Sequence, residues 1–129
     1  MKSRFLIAAA AALMCAGAAL AGSKFTGDGH VQIVKNADGS GSATGYLSMI
    51  YNYTNNNEWF GCQKSSTSVV FCHAKNINQD IVDCWATSAF LANAVSSISP
   101  DARVSFRFSS TGACTGITVT HSSEYEDKK

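Results

Sequence analysis

The sequence predicts an α+β domain, mainly antiparallel β: a meander of about seven strands with one helix between the fifth and sixth, held by two disulfides. Three observations carry that prediction. Trp59–Ala86 (WFGCQKSSTSVVFCHAKNINQDIVDCWA) sets three aromatic and β-branched runs between two polar turn clusters, as strands and hairpins require. Apolar residues alternate with period two along most of the chain but switch to helical spacing over Ser88–Ser99. Four of the five cysteines, Cys62, Cys72, Cys84 and Cys114, fall within these elements.

The N-terminus has its own logic. Lys2 and Arg4 precede an Ala-rich apolar run that ends at Ala19-Leu20-Ala21, a small-x-small cleavage site. Met1–Ala21 therefore reads as a secretory signal peptide, not as a membrane anchor, because the run is short and no stop-transfer charges follow. Cleavage before Gly22 removes Cys15, whose lipoprotein-like context is spoiled by the bulk of Met14. Gly22–Lys129 is then a single domain with an even number of cysteines, expected in the periplasm or outside the cell. It carries no transmembrane segment. Losing Lys2 and Arg4 from ten Lys and Arg leaves eight basic residues against nine acidic ones. With no basic stripe, nucleic acid is not an expected partner. The tail Glu124–Asp127 reads as a solvated end.

His30–Lys35 alternates as a first strand, with Val31 and Ile33 on one face. Asn36–Gly41 contains Asp38-Gly39, a hairpin signal. Ala43–Tyr53 reads as a long second strand, with Leu47, Met49, Tyr51 and Tyr53 on its core face, and Thr54–Asn57 as the next turn. In the meander, a hairpin centred on Thr67 puts Cys62 opposite Cys72, and one centred on Asn78 puts Cys72 opposite Cys84. All three then share a face, and Cys62 and Cys84 are roughly 10 Å apart, too far for a disulfide. Cys62–Cys72 with Cys84–Cys114 is the favoured pairing; Cys72–Cys84 with Cys62–Cys114 is the alternative. Over Ser88–Ser99, Phe90, Ala94 and Ile98 mark an apolar helix face with Leu91 and Val95 beside it. Thr87 or Ser88 caps this helix and Pro100 stops it. Ala102–Ser109 alternates Val104, Phe106 and Phe108 inward with Arg103, Ser105 and Arg107 outward, and Ala113–His121 is the last strand. The helix is expected across one face of a single curved sheet.

The residues Asp38-Gly39-Ser40-Gly41, Gly45, Gly61-Cys62, Phe71-Cys72 with Ala74, Cys84, and Gly112 with Cys114-Thr115 make a cysteine and glycine framework over most of Gly22–Lys129. In this framework the chain resembles a group of small secreted proteins of Gram-negative bacteria with no assigned activity. The resemblance implies fold and export, and transfers no catalytic residue.

Signatures of chemistry are sparse. A calcium loop centred on Gly39 would place ligands at Val34 and Gly45, which cannot serve. The Gly-rich stretch 39–45 lacks the Lys-Ser/Thr and helix of a phosphate loop. Cys72-His73 with Cys62 and Cys84 lacks zinc spacing, so no metal or other cofactor is expected. There is no Gly-x-Ser-x-Gly elbow. A His73–Asp83 pair across adjacent strands is the nearest thing to a catalytic grouping. Asp28, Asp38, Glu58, Asp80, Asp83 and Asp101 fall at turns or strand ends and read as solubilising acids. Two binding features remain. Arg103 and Arg107 share one side of a strand and suit a carboxylate or phosphate. Tyr46 and Trp59 are the aromatic residues expected at the surface, suited to a glycan or a protein partner. The resulting expectation is a non-enzymatic exported binding domain. The alternatives are an inhibitor of a secreted hydrolase and a small secreted hydrolase.

Overall fold

Four hairpin turns organise the chain, and all four are built alike. In Asn36–Ser40, Ser65–Val69, Asn76–Asp80 and Ser109–Ala113, the first residue's N–H donates to the fifth residue's carbonyl, and the fourth residue's N–H donates to the first carbonyl. The fourth residue is left-handed in each: Gly39 (φ 86°), Ser68 (62°), Gln79 (70°) and Gly112 (81°). This is a type I turn followed by a bulge residue, a three-residue hairpin loop. The first residue is Asn or Ser in every case because its side chain braces the loop. Ser65 Oγ accepts from the N–H groups of Thr67 and Val69, Ser109 Oγ from those of Thr111 and Ala113, and Asn76 Oδ1 from that of Asp80. In the first turn, Asp38 accepts from the Ser40 hydroxyl and N–H, which hold its carboxyl below the usual carboxylate range.

The computed structural model of the protein describes residues 30–52 and 57–122. The segment read as a signal peptide, residues 53–56 of the second strand and Asn-rich turn, and the acidic tail lie outside the described residues. The elements are β1 (Val31–Lys35), β2 (Gly41–Tyr46), α1 (Leu47–Asn52), β3 (Trp59–Lys64), β4 (Val69–Lys75), β5 (Ile81–Thr87), α2 (Ala89–Ser96), β6 (Arg103–Phe108) and β7 (Cys114–Thr120). The single curved sheet is corrected to two antiparallel sheets, one four-stranded in the order β1-β2-β6-β7 and one three-stranded in the order β3-β4-β5. The meander and its helix are inserted between β2 and β6, which pair with each other.

That pairing also explains why the long second strand is not formed. β2 runs out of neighbours at Tyr46, which is opposite Arg103 at the start of β6, while β1 begins at Val31 opposite Gly45. Beyond that point no strand among the described residues lies alongside to bond with. The backbone turns helical instead, anchored by the Leu47 N–H donating to the Ala102 carbonyl. Tyr51, read as core, is consequently 89% exposed.

The core lies between the inner faces of the sheets. Val31, Ala43, Phe106 and Phe108 come from one side, and Val70, Cys72, Ala74, Val82 and Cys84 from the other, with Leu91 and Ala92 of α2 among them. Phe60 packs against Gly45, where a Cβ would come within 2.5 Å of its ring, and tilts against Phe106. Ser88 caps α2 by accepting from the Leu91 N–H. The helix closes at Ser97, a turn earlier than its periodicity suggests, with Ile98 in the following turn. Its buried face is therefore Leu91 and Ala92, while Phe90 is 79% exposed.

Both meander registers are as the parity argument requires, with Cys62 opposite Cys72 and Cys72 opposite Cys84. The bridges are Cys62–Cys72 and Cys84–Cys114. The Cα atoms of Cys62 and Cys72 are 4.1 Å apart, the close spacing of a non-hydrogen-bonded pair. The bond directions on β4 then make Cys72–Cys84 the wider, hydrogen-bonded pair, which leaves Cys84 free to reach Cys114.

Two outcomes follow for denaturant unfolding. Cys84→Ser/Cys114→Ser, opening the loop with a sequence separation of 30, should cost about 3.5 kcal/mol, and Cys62→Ser/Cys72→Ser, with a separation of 10, somewhat less. Equal losses would show that chain entropy does not govern these bridges. Gln79→Gly should raise stability by about 0.5–1 kcal/mol by removing the left-handed penalty on a side chain; a loss would mean that the Gln79 side chain matters more than its backbone.

Candidate binding face and polar clusters

The parity that turns the cysteines inward turns Trp59, Gly61 and Gln63 of β3, Phe71, His73 and Lys75 of β4, and Ile81, Asp83 and Trp85 of β5 outward. They form three cross-strand rows: Trp59–Lys75–Ile81, Gly61–His73–Asp83 and Gln63–Phe71–Trp85. Four rings touch in succession. Trp59 meets His73 edge-on at 4.8 Å between centroids, His73 meets Phe71 at 5.4 Å, and Phe71 meets Trp85 at 5.9 Å. Both tryptophans of the chain stand on this face. Trp85 is 63% exposed and Trp59 is also exposed, while Phe71 and His73 are half-buried. Gly61 keeps the middle row low, with His73 Nε2 3.2 Å from where a Cβ would sit. A groove of 560 Å³ opens at one end, between Trp85, Phe71, Gln63, Lys64, Ser65 and Val69.

Trp59 is thus where the sequence placed it, at the surface. Tyr46 is not. It is only 6% exposed, with the Arg103 guanidinium 5.6 Å from the centre of its ring. Arg103 and Arg107 do share the outer side of β6, but they do not act as a pair of open cationic groups. Arg103 is half-buried against Tyr46, and its Nε is buried with no hydrogen-bond partner. Arg107 is exposed and lies over Gly116, where a Cβ would sit 2.9 Å from its guanidinium. Phe71 and Trp85 were passed over in the sequence. Their signal was the same alternation that placed the cysteines, read on the other face.

Glu58 is corrected from a solubilising acid to a buried brace, 8% exposed. Its Oε1 accepts from the Val31 N–H at 3.1 Å. Its Oε2 accepts from the His30 N–H at 3.3 Å, with His30 Nδ1 at the same distance. The carboxylate sits just before β3 and satisfies the edge of β1, joining the two sheets.

Among the described residues, two polar groupings resemble parts of a catalytic site. His73 and Asp83 are cross-strand partners, yet no hydrogen bond or ion pair joins their side chains. Ser99, Asp101 and His121 do meet. The Ser99 hydroxyl donates to Asp101 Oδ1 at 2.6 Å and its oxygen lies 3.1 Å from His121 Nδ1. The sulfurs of Cys72, Cys84 and Cys114 lie within 4.8 Å of one another. All three are in disulfides, so none is a thiolate ligand. A second, more apolar groove of 590 Å³ runs between α1, Trp59, Phe60 and Pro100. α1 and β3 are joined by residues outside the described ones, and no ligand is assigned to this groove. No helix among the described residues is long and apolar enough to cross a membrane. Together with the disulfides, that is compatible with a periplasmic or extracellular location.

No family model matches the chain, and neither curated proteins nor solved structures give a significant match.

Glu58→Ala should lower the unfolding free energy by about 2–3 kcal/mol by leaving two backbone donors without a charged acceptor, and Glu58→Gln, which keeps an acceptor, by less. Thermal and denaturant melts of both variants measure this. An unchanged Glu58→Ala melt would remove the brace from the account.

Proposed function

We propose that the protein is a non-enzymatic, exported binding domain whose recognition surface is the outer face of the β3-β4-β5 sheet. The observation that carries this reading is the unbroken row of four rings from Trp59 to Trp85 on an exposed sheet face, with both tryptophans in it. Large aromatic rings kept in water cost solubility and contribute nothing to a core. They are also the side chains that anchor partners most strongly. A disulfide beneath the face and one beside it keep the rings in place without a partner, which lowers the ordering cost of binding. The resemblance to small secreted proteins and the signal-like N-terminus agree with export. No specific observation among the described residues favours the hydrolase or the inhibitor alternative: His73 and Asp83 are not joined by a hydrogen bond, and Ser65–Val69 is a tight hairpin, not a projecting loop.

The full oxidised protein, immobilised and exposed to envelope and culture-supernatant fractions, should retain a saturable ligand. Retention should fall in Trp85→Ala and Trp59→Ala and persist in Arg107→Ala, with circular dichroism confirming that all three variants are folded. Retention that survives both tryptophan variants would move the surface elsewhere, and no saturable ligand would reject a binding domain.

A further inference from the structure

Resting on that reading, we infer that the ligand of this face is a glycan: one hexopyranose ring stacks on Trp85 in the groove beside Gln63, and further units follow the rings towards Trp59. Three properties of the face point to a sugar chain.

The first is size. Three strands about 4.8 Å apart and up to seven residues long at about 3.3 Å each give a strip of a few hundred Å². A stable protein interface needs about 800 Å² on each partner. The strip is long and narrow, the shape of an oligosaccharide. Its groove, at 560 Å³, falls in the range of small-ligand sites and not of protein footprints.

The second is the mixture of groups in the groove. A pyranose offers a flat patch of C–H bonds and a rim of hydroxyls, each both donor and acceptor. The groove answers both. Trp85 and Phe71 supply ring surface, with their planes at 82° to each other, so that a face and an edge line the same space. The Gln63 amide donates and accepts and Lys64 donates, while the Ser65 oxygen is already taken up by two N–H groups of its own hairpin. Along the strip, His73, Asp83 and Lys75 interleave with the rings at the next cross-strand positions, so polar groups recur beside every apolar one.

The third is charge. Lys64 and Lys75 against Asp83 leave no strong field over the face. Such a face does not attract a polyanion, and an uncharged polyol with occasional ionic substituents needs no such field.

Trp59 and Trp85 are the only tryptophans in the chain; Trp59 also borders the groove beside α1, so a signal is assigned to this face where Trp85→Ala removes it. Oxidised full-length protein would be titrated with cellohexaose, with chitohexaose and with soluble peptidoglycan glycan strands, following emission and, separately, heat. At least one should give a saturable change. Trp85→Ala should weaken it about tenfold or more, and Gln63→Ala several-fold. Phe90→Ala, an exposed aromatic on α2 that does not line the groove, should leave it unchanged. Trp85→Phe, which keeps a ring and the fold, should retain part of the affinity by calorimetry. Glycan binding that survives Trp85→Ala would overturn the assigned site. Silence from all three glycans, with a protein ligand retained in a Trp85-dependent way, would overturn the glycan and leave the binding face standing. Silence in both experiments would overturn both.

Discussion

The Cys84–Cys114 bridge is the disulfide that joins the two sheets, and much of the arrangement depends on it. It ties β5, an edge of the three-stranded sheet, to β7, an edge of the four-stranded one. Beside it the Trp85 N–H donates to the Gly112 carbonyl. One short segment therefore fixes the sheets to each other, closes part of an exposed strand edge, and sets Trp85 at the rim of the groove. At the opposite side, between β1 and β3, the Glu58 carboxylate makes the corresponding noncovalent link. A small core of short side chains, several of them Ala, Val and Cys, is held between these two clamps.

This arrangement gives the two faces of the meander different roles. The inward face is spent on cysteines and small aliphatic residues, which pack closely but bury little area each. The bridges compensate by restricting the unfolded chain. With stability supplied from one face, the other is free to carry large rings in water. A sheet without that covalent support would be expected to turn its tryptophans inward, because they are its richest source of buried surface.

Much of the local structure was legible in the residues. Four hairpins were marked by Asn, Ser, Asp and Gly at fixed offsets, because the loop needs a side-chain brace at one end and a left-handed residue at the other. Meander register followed from equal counting on either side of Thr67 and Asn78, and register in turn limited which cysteines could meet. The candidate face was half legible. Trp59 was recognised, but Trp85 and Phe71 were counted as strand formers only, although the cysteine parity already turned them outward. Glu58 was misread because nothing in its neighbourhood announces that the backbone of β1, far away in sequence, stops beside it.

The sequence by itself determined which segments are strands in the hairpins, how those hairpins are registered, and where the disulfides could form, because each is decided by neighbours within a dozen or so residues or by alternation of side chains. Only the tertiary structure decided that β2 pairs with β6 across the inserted meander, that the chain after Tyr46 coils instead of extending, and that Tyr46 is covered while Tyr51 is exposed. Those outcomes depend on which distant backbone lies alongside, and period-two alternation is the same whether a strand has a partner or has run past its end.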